Sequence, residues 1–178
     1  MLERTIRYAI THTATTQALR RTLRQVSGME AFGRLLSERG PVPEVLADVL
    51  RLLADDFGVT RSSLYLMDGD DLQLAAVRGY AEPAQRLEAR SGRLARVITS
   101  GRSQTLPNVT VDPDRRTADD PMELCVPFVA EGQCLGILNV AWDEETSGQD
   151  LRRGLHVIAD RLAVGIALNR AVRGRSFV

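Results

Sequence analysis

The sequence predicts an α/β domain of the α+β kind, an antiparallel sheet flanked by helices. Three observations predict it. Pro121–Trp142 (PMELCVPFVAEGQCLGILNVAW) holds two β-rich runs around Ala130-Glu131-Gly132, the pattern of a hairpin. Ser62–Met67 and Leu72–Tyr80 alternate as a second strand pair around Asp68-Gly69-Asp70-Asp71. Two stretches with helical period, Val42–Phe57 and Ser147–Arg173, bracket all of these strands.

Taken in order, the chain opens with a helical segment over residues 1–29. A stripe of Leu19, Leu23, Val26, Met29, Phe32 and Leu36 recurs at three- and four-residue steps through Gln17–Glu38, with Ser27-Gly28 placed to interrupt or kink it. Arg39-Gly40-Pro41 stops this helix, and Pro43 suits the first turn of the next. Val45, Leu46, Val49, Leu52 and Leu53 carry the period through Val42–Phe57, and Gly58 ends it. After the first strand pair, Pro83–Ala89 reads as a short helix. Gly92–Ser100 reads as another, closed by Gly101. Gln104–Val109 reads as a short strand and Asp112–Pro121 as a polar loop. In the last helix Ser147 or Thr146 can cap the start, and Gly174 can end it. Leu151, Leu155, Ile158, Leu162 and Ile166 form one line along it. Val157, Val164, Leu168 and Val172 sit elsewhere around it, a wider apolar arc than one sheet contact requires.

The late hairpin carries the most information. With Ala130–Gly132 as a three-residue loop, Val129 pairs with Gln133, Cys125 with Ile137 and Glu123 with Asn139. Side chains alternate across a strand. One face then holds Leu124, Val126, Phe128, Cys134, Gly136, Leu138, Val140 and Trp142, nearly pure core. The other holds Glu123, Cys125, Pro127, Leu135, Ile137, Asn139 and Ala141, which mixes apolar with hydrogen-bonding groups as a pocket floor does. On the first strand, Leu64 and Leu66 belong with the core face, and Ser63, Tyr65 and Met67 with the mixed face. Trp142 reads as a strand-end anchor of the core.

Composition bounds the function. At 178 residues, 44% apolar and 26% charged, the chain suits one soluble domain with a full core. The net charge is zero, so nothing electrostatic favours direct nucleic-acid binding or an anionic membrane. All 23 basic residues are arginine, scattered along the chain, as compositional bias would leave them. No apolar run reaches the roughly 20 residues of a membrane span, and the N-terminus lacks a signal peptide's apolar core. A cytoplasmic setting is the expectation. The two cysteines point to opposite faces in the register above and do not bridge. His12 and His156 are far apart and no CxxC occurs, so no metal site is expected.

The pattern x-E-L-x-V-P-F-x-x-x-G-x-x-L-G-I-L-N-V in the hairpin resembles the late hairpin of GAF domains. PVPEVLADVLRLLADDFGV, RSSLYLMDGDDLQLAAVRGY, SGRLARVITSGRSQTLPNV and VDPD precede it in the family's order. The resemblance covers roughly Glu30 to Ala171. It implies a GAF-like domain over 30–173 that includes the long last helix, with 174–178 as a tail. It implies a sheet of five to six strands, terminal helices on one face, short helices and loops over a pocket on the other, and a homodimer through the terminal helices. It also argues against chemistry. GAF relatives that reduce free methionine sulfoxide use loop cysteines before the late hairpin, and Ser100–Pro121 contains none. Chromophore-binding relatives use a cysteine and histidine over the pocket, absent from Asp112–Pro121. The lysine of the cyclic-nucleotide signature cannot be matched here.

What the residues leave is a candidate ligand site of Tyr65, Met67, Glu123, Cys125, Ile137 and Asn139, with Arg93 and Arg96 on the helix above as partners for an anion. The same face could instead pack against the short helices with its polar groups satisfied internally. The expected function is non-catalytic sensing or regulation of signalling or transcription, through a small molecule whose identity the sequence does not give. A dimerisation module with a degenerate pocket is the alternative, and a reductase-like enzyme a more distant one. No cofactor is named by the sequence.

Overall fold

The computed structural model describes residues 42–107, 109–143 and 147–175; the N-terminal stripe from Leu19 to Leu36 and the capping position Thr146 lie outside them. Helix α1 (Val42–Phe57) leads into β1 (Ser62–Asp68), β2 (Asp71–Arg78) and β3 (Arg86–Glu88). Helix α2 (Gly92–Ser100) and β4 (Gln104–Pro107) follow, then one 3-10 turn at Pro113–Arg115. The hairpin β5 (Met122–Ala130) and β6 (Gln133–Ala141) leads to the long α3 (Gln149–Arg175). The strands form one sheet in the order β3-β2-β1-β6-β5-β4, with every pairing antiparallel.

Two helices close one face of this sheet. Leu46, Val49, Leu50 and Leu53 of α1 and Leu155, Ile158, Leu162 and Ile166 of α3 pack on Leu64, Leu124, Val126, Phe128, Leu138 and Val140. These are the residues that alternation assigns to the core side. Trp142 is buried at the strand end, with the Arg152 guanidinium over its ring at 5.8 Å. The opposite face has a smaller core. Tyr65, Leu72, Leu87, Val97, Leu106, Cys125 and Ile137 meet there beneath α2. One irregularity divides β2 between the two faces. Leu64 pairs with Ala76 but Tyr65 with Leu74, so the extra residue Ala75 puts Leu72 and Leu74 in the smaller core and Ala76 in the larger.

The β5–β6 register corrects the expectation. Ala130 pairs with Gln133 across a two-residue turn, Glu131-Gly132, with both residues at positive φ (52° and 76°) as a type I′ turn requires. A bulge follows: Val129 pairs with Cys134 but Phe128 with Gly136. Each feature moves the register by one residue. Together they move it by two, so Cys125 faces Asn139 and Glu123 faces Ala141, not Ile137 and Asn139. A shift of two preserves which face each side chain occupies. There are two exceptions. Leu135, the bulged residue, joins the helix-side core and not the mixed face. Cys134, between turn and bulge, is shifted by one residue only, pairs with Val129 and so lies on the same side as Cys125 and not opposite it.

Two further expectations change. Pro83–Ala89 is not a helix: Arg86–Glu88 adds to β2 as an edge strand, pairing Leu72 with Leu87. Its burial alternates, with Leu87 and Ala89 inside and Arg86 and Glu88 outside, a period of two that four apolar-polar steps are too short to reveal. At the start of α3 the Ser147 hydroxyl accepts from the Asp143 N–H at 3.2 Å, closing the loop before the helix, and the helix backbone continues through Gly174 to Arg175.

Gly136 sits opposite Phe128, whose ring lies where a side chain would stand. A Cβ there would come within 2.2 Å of the Tyr65 carbonyl oxygen and 2.3 Å of Phe128 Cζ. The carbonyl belongs to the paired strand and cannot move aside. Gly136→Ala is therefore expected to destabilise the domain by about 1–3 kcal/mol, read as a lower urea midpoint at unchanged slope.

Candidate functional site

The mixed sheet face is built from neighbouring positions on three central strands. Ser63 on β1 pairs with Asn139 on β6, which pairs with Cys125 on β5. One row along, Tyr65 pairs with Ile137, and Ile137 with Pro127. Antiparallel pairing at alternate positions brings all of these side chains to one side. Ser63, Tyr65, Glu123, Cys125, Ile137 and Asn139 are all completely buried.

Their polar atoms are joined into a network centred on Glu123. Its Oε1 accepts a short hydrogen bond from the Tyr80 hydroxyl, just beyond β2. Its Oε2 accepts the Thr110 backbone N–H at 2.7 Å, from the loop after β4. The Thr110 hydroxyl shares a hydrogen bond with that of Ser63 at 2.7 Å, and the Asn139 amide donates to Ser63 Oγ at 3.2 Å. Above them the Tyr65 hydroxyl donates to the Ala84 carbonyl at 2.7 Å, and the Ala84 N–H donates to the Thr110 carbonyl at 2.7 Å. Pro83 and Val111 form a further bridge. The segments 82–84 and 110–112 thus clasp each other over the floor. Asn139 Oδ1 is buried without a hydrogen-bond partner among the described residues.

This environment suppresses ionisation of its neighbours. Burial, and then the charge of Glu123, push the Tyr65 phenol well above its ordinary range. Tyr80 is raised by burial, by the Glu123 charge and by their hydrogen bond. Burial and then Glu123 hold the Cys125 thiol well above its usual value, and burial raises Cys134. Both cysteines are free. A buried, protonated thiol is a poor nucleophile.

An open cavity of about 490 Å³ lies beside this network, within the size range of small-molecule sites, bounded by β3, the start of α2, β4 and the loop beyond it. Leu87, Leu94, Leu106 and Val109 give it apolar walls. Arg86, Arg93, Arg116, Ser91 and Glu88 supply polar ones. Of the eight residues singled out from the sequence, Arg93 lines this cavity. Tyr65, Glu123, Cys125, Ile137 and Asn139 lie in the closed floor, and Met67 is half-buried against the same small core. Arg96 is exposed on α2 and is not among the lining residues. Tyr80, Thr110, Arg86 and Arg116 were not singled out. Arg116 falls in Asp112–Pro121, which reads as a polar loop, and Arg86 falls in the segment that reads as a helix and is a strand. Nothing local marks Tyr80 or Thr110 as partners of Glu123. Among the described residues no cluster of His, Cys, Asp or Glu could hold a metal ion.

Comparison with known proteins places the fold. The family model described as GAF domain matches residues 41–167. No curated protein matches the chain. Among solved structures, the A. aeolicus Nlh2 GAF domain in an inactive state is 18% identical, covers 84% of this chain and 99% of its own, and superposes with a TM-score of 0.69. The GAF domain of a phosphoenolpyruvate-protein phosphotransferase from Coxiella burnetii is 19% identical over 85% of this chain and 98% of its own, with a TM-score of 0.69. Free methionine-R-sulfoxide reductase from Neisseria meningitidis, in complex with its substrate, is 21% identical over 83% and 93%, with a TM-score of 0.61. At these identities the likeness speaks to fold.

The raised thiol gives a signed pH dependence. A group whose folded pKa lies above its unfolded value leaves stability intact below the unfolded value and erodes it above. For Cys125 that loss begins near the ordinary thiol value of 9.0, at up to about 1.4 kcal/mol per pH unit, and Tyr65 and Tyr80 add to it above 10.0. Urea midpoints measured from pH 7 to about pH 10.5 should fall above pH 9. Cys125→Ala, less stable at pH 7 through lost packing, should show a flatter decline over the first unit.

Proposed function

The chain belongs to the GAF family, and we propose that it is a non-catalytic sensory and regulatory domain of the cytoplasm, serving signal transduction or transcriptional regulation. A small molecule occupies the cavity beside α2, and the response leaves through the terminal helices of a homodimer. One observation carries this reading. The cavity lies on one face of the sheet, while α1 and α3 pack on the other, so a ligand and the helices act on opposite sides of the same six strands. A ligand works as a switch only if its affinity differs between two helix arrangements.

A non-catalytic role is supported by the state of the thiols. Cys125 is fully buried with a raised pKa, and Cys134 lies at the far end of the hairpin, its Sγ on the Gly136 carbonyl. Neither stands at the cavity. The cytoplasmic placement accords with the absence of any helix, among the described residues, long and apolar enough to cross a membrane. The dimerisation module with a degenerate pocket has its own support, since the Glu123 network uses the polar groups of the floor internally.

Dimerisation is supported by α3. Val157, Val164 and Leu168 are 39%, 59% and 62% exposed, at steps of seven and four that align them on one side of a helix. A twofold axis beside this stripe would cover it with the same stripe of a second copy.

Two measurements test the proposal. Native mass spectrometry of the full chain from its natural host should show a species of twice 19.6 kDa retaining a small-molecule mass; a ligand-free dimer would favour the module without a sensing pocket. Val164→Asp with Leu168→Asp should give a folded monomer by sedimentation equilibrium, and a dimer indifferent to both charges would rule out this interface.

A further inference from the structure

We propose that the cavity takes an organic anion, a small molecule carrying a carboxylate or phosphate gripped by Arg93 and Arg116. The inference rests on the reading of the cavity as a ligand site and goes further by assigning the ligand's chemistry.

Arginines are scattered through the sequence, so their number alone says little; their pairing says more. Arg86 is tied to Asp71, Arg90 to Asp70 and Arg115 to Glu82, the last at 3.2 Å. Of the three arginines that line the cavity, Arg93 and Arg116 are the ones without a carboxylate partner among the described residues. Among the described residues Arg93 has no ion pair and no side-chain hydrogen bond. Arg116 donates only its Nε, to the Val111 carbonyl at 3.4 Å, which leaves both terminal nitrogens to other acceptors. Both residues line the same cavity from opposite elements, Arg93 from the first turn of α2 and Arg116 from the loop beyond β4.

The charge of the lining points the same way. Three guanidinium groups meet one carboxylate, Glu88. Asp71 offsets Arg86 from outside the lining, so Glu88 stands against both Arg93 and Arg116 and the lining keeps a single net positive charge. A planar guanidinium presents paired donors matched to the oxygens of a carboxylate or phosphate. Ser91, the residue before α2, makes no side-chain hydrogen bond to the helix, so its hydroxyl remains available at the same wall. The positive end of the α2 dipole adds to the field but does not by itself define the site. The walls of Leu87, Leu94, Leu106 and Val109 call for an organic body attached to the anion, and a cavity of about 490 Å³ has room for one.

The test is a titration of the isotopically labelled full chain, followed by the amide resonances of Leu94 and Leu106. The probes are adenosine 5′-monophosphate against adenosine, phenylacetate against phenylacetamide, and inorganic phosphate. At least one organic anion should shift both resonances saturably, about tenfold more tightly than its uncharged counterpart. Arg93→Gln and Arg116→Gln should each weaken it by about fivefold or more. Arg96→Gln, on the same helix but outside the cavity, should change it by less than about twofold. Adenosine or phenylacetamide binding as tightly as its charged partner overturns the anion while leaving the cavity a ligand site. Loss at Arg96→Gln equal to that at Arg93→Gln also overturns it, by tracing the effect to general surface charge. Inorganic phosphate binding as tightly as either organic anion removes the organic body from the inference. Silence from all three anions up to about 10 mM refutes the assignment, and retention of an uncharged molecule in native spectra would then leave the sensing reading standing.

Discussion

A carboxylate buried near the start of β5 constrains the segments around it. Glu123 is inaccessible to solvent, and a carboxyl group in that position is tolerable only with donors in place. Both donors come from irregular chain: Tyr80 beyond β2 and the Thr110 amide beyond β4. The requirement to satisfy one side chain on β5 therefore fixes the two segments that shape the pocket face. Those segments then bind each other through Ala84, Thr110, Pro83 and Val111. Ser63 and Asn139 carry the network into β1 and β6. The floor and the two segments over it are thus one hydrogen-bonded unit, and the cavity lies beside it, walled by β3, α2, β4 and the loop beyond.

The sheet divides the domain into two bodies of different character. On the α1–α3 side the contacts are apolar and continuous, from Leu46 to Ile166. On the α2 side a small core is mixed with the polar network and opens into the cavity. Among the described residues, two side-chain hydrogen bonds join α3 to other elements of the fold. His156 Nε2 meets the Ser103 hydroxyl at 3.1 Å, between α2 and β4. The Arg170 guanidinium donates to the Met67 carbonyl at 3.1 Å, near the end of β1.

Most of the architecture was legible because it depends on local period. Leu64, Leu124, Val126, Leu138 and Val140 alternate with neighbours that, Tyr65 and Ile137 apart, are polar or small, and that alternation put them together on one face. The facing survived an incorrect register because the type I′ turn and the bulge at Leu135 each moved it by one residue. What stayed illegible depends on distant pairing. Arg86–Glu88 is a strand only because β2 offers it an edge. Glu123 reads as an open ligand group until Tyr80 and Thr110, 43 and 13 residues away, are seen to donate one hydrogen bond to each of its oxygens. Arg116 reads as loop solvation until the fold brings it to the cavity that Arg93 lines. Local sequence therefore assigned faces well but could not name partners that the fold brings in from distant segments.

The central role of Glu123 makes a direct demand on one amide. Thr110 lies in an irregular loop, where backbone N–H groups ordinarily exchange with solvent through small local fluctuations. Here its N–H is held by a buried carboxylate at 2.7 Å. Native-state hydrogen exchange should find the Thr110 amide opening only with a free energy near that of global unfolding, on a par with the amides of β5 and β6. Exchange of Thr110 at the rate of Ala118 or Asp119, further along the same connection, would mean that the carboxylate does not hold the loop, and would contradict the account.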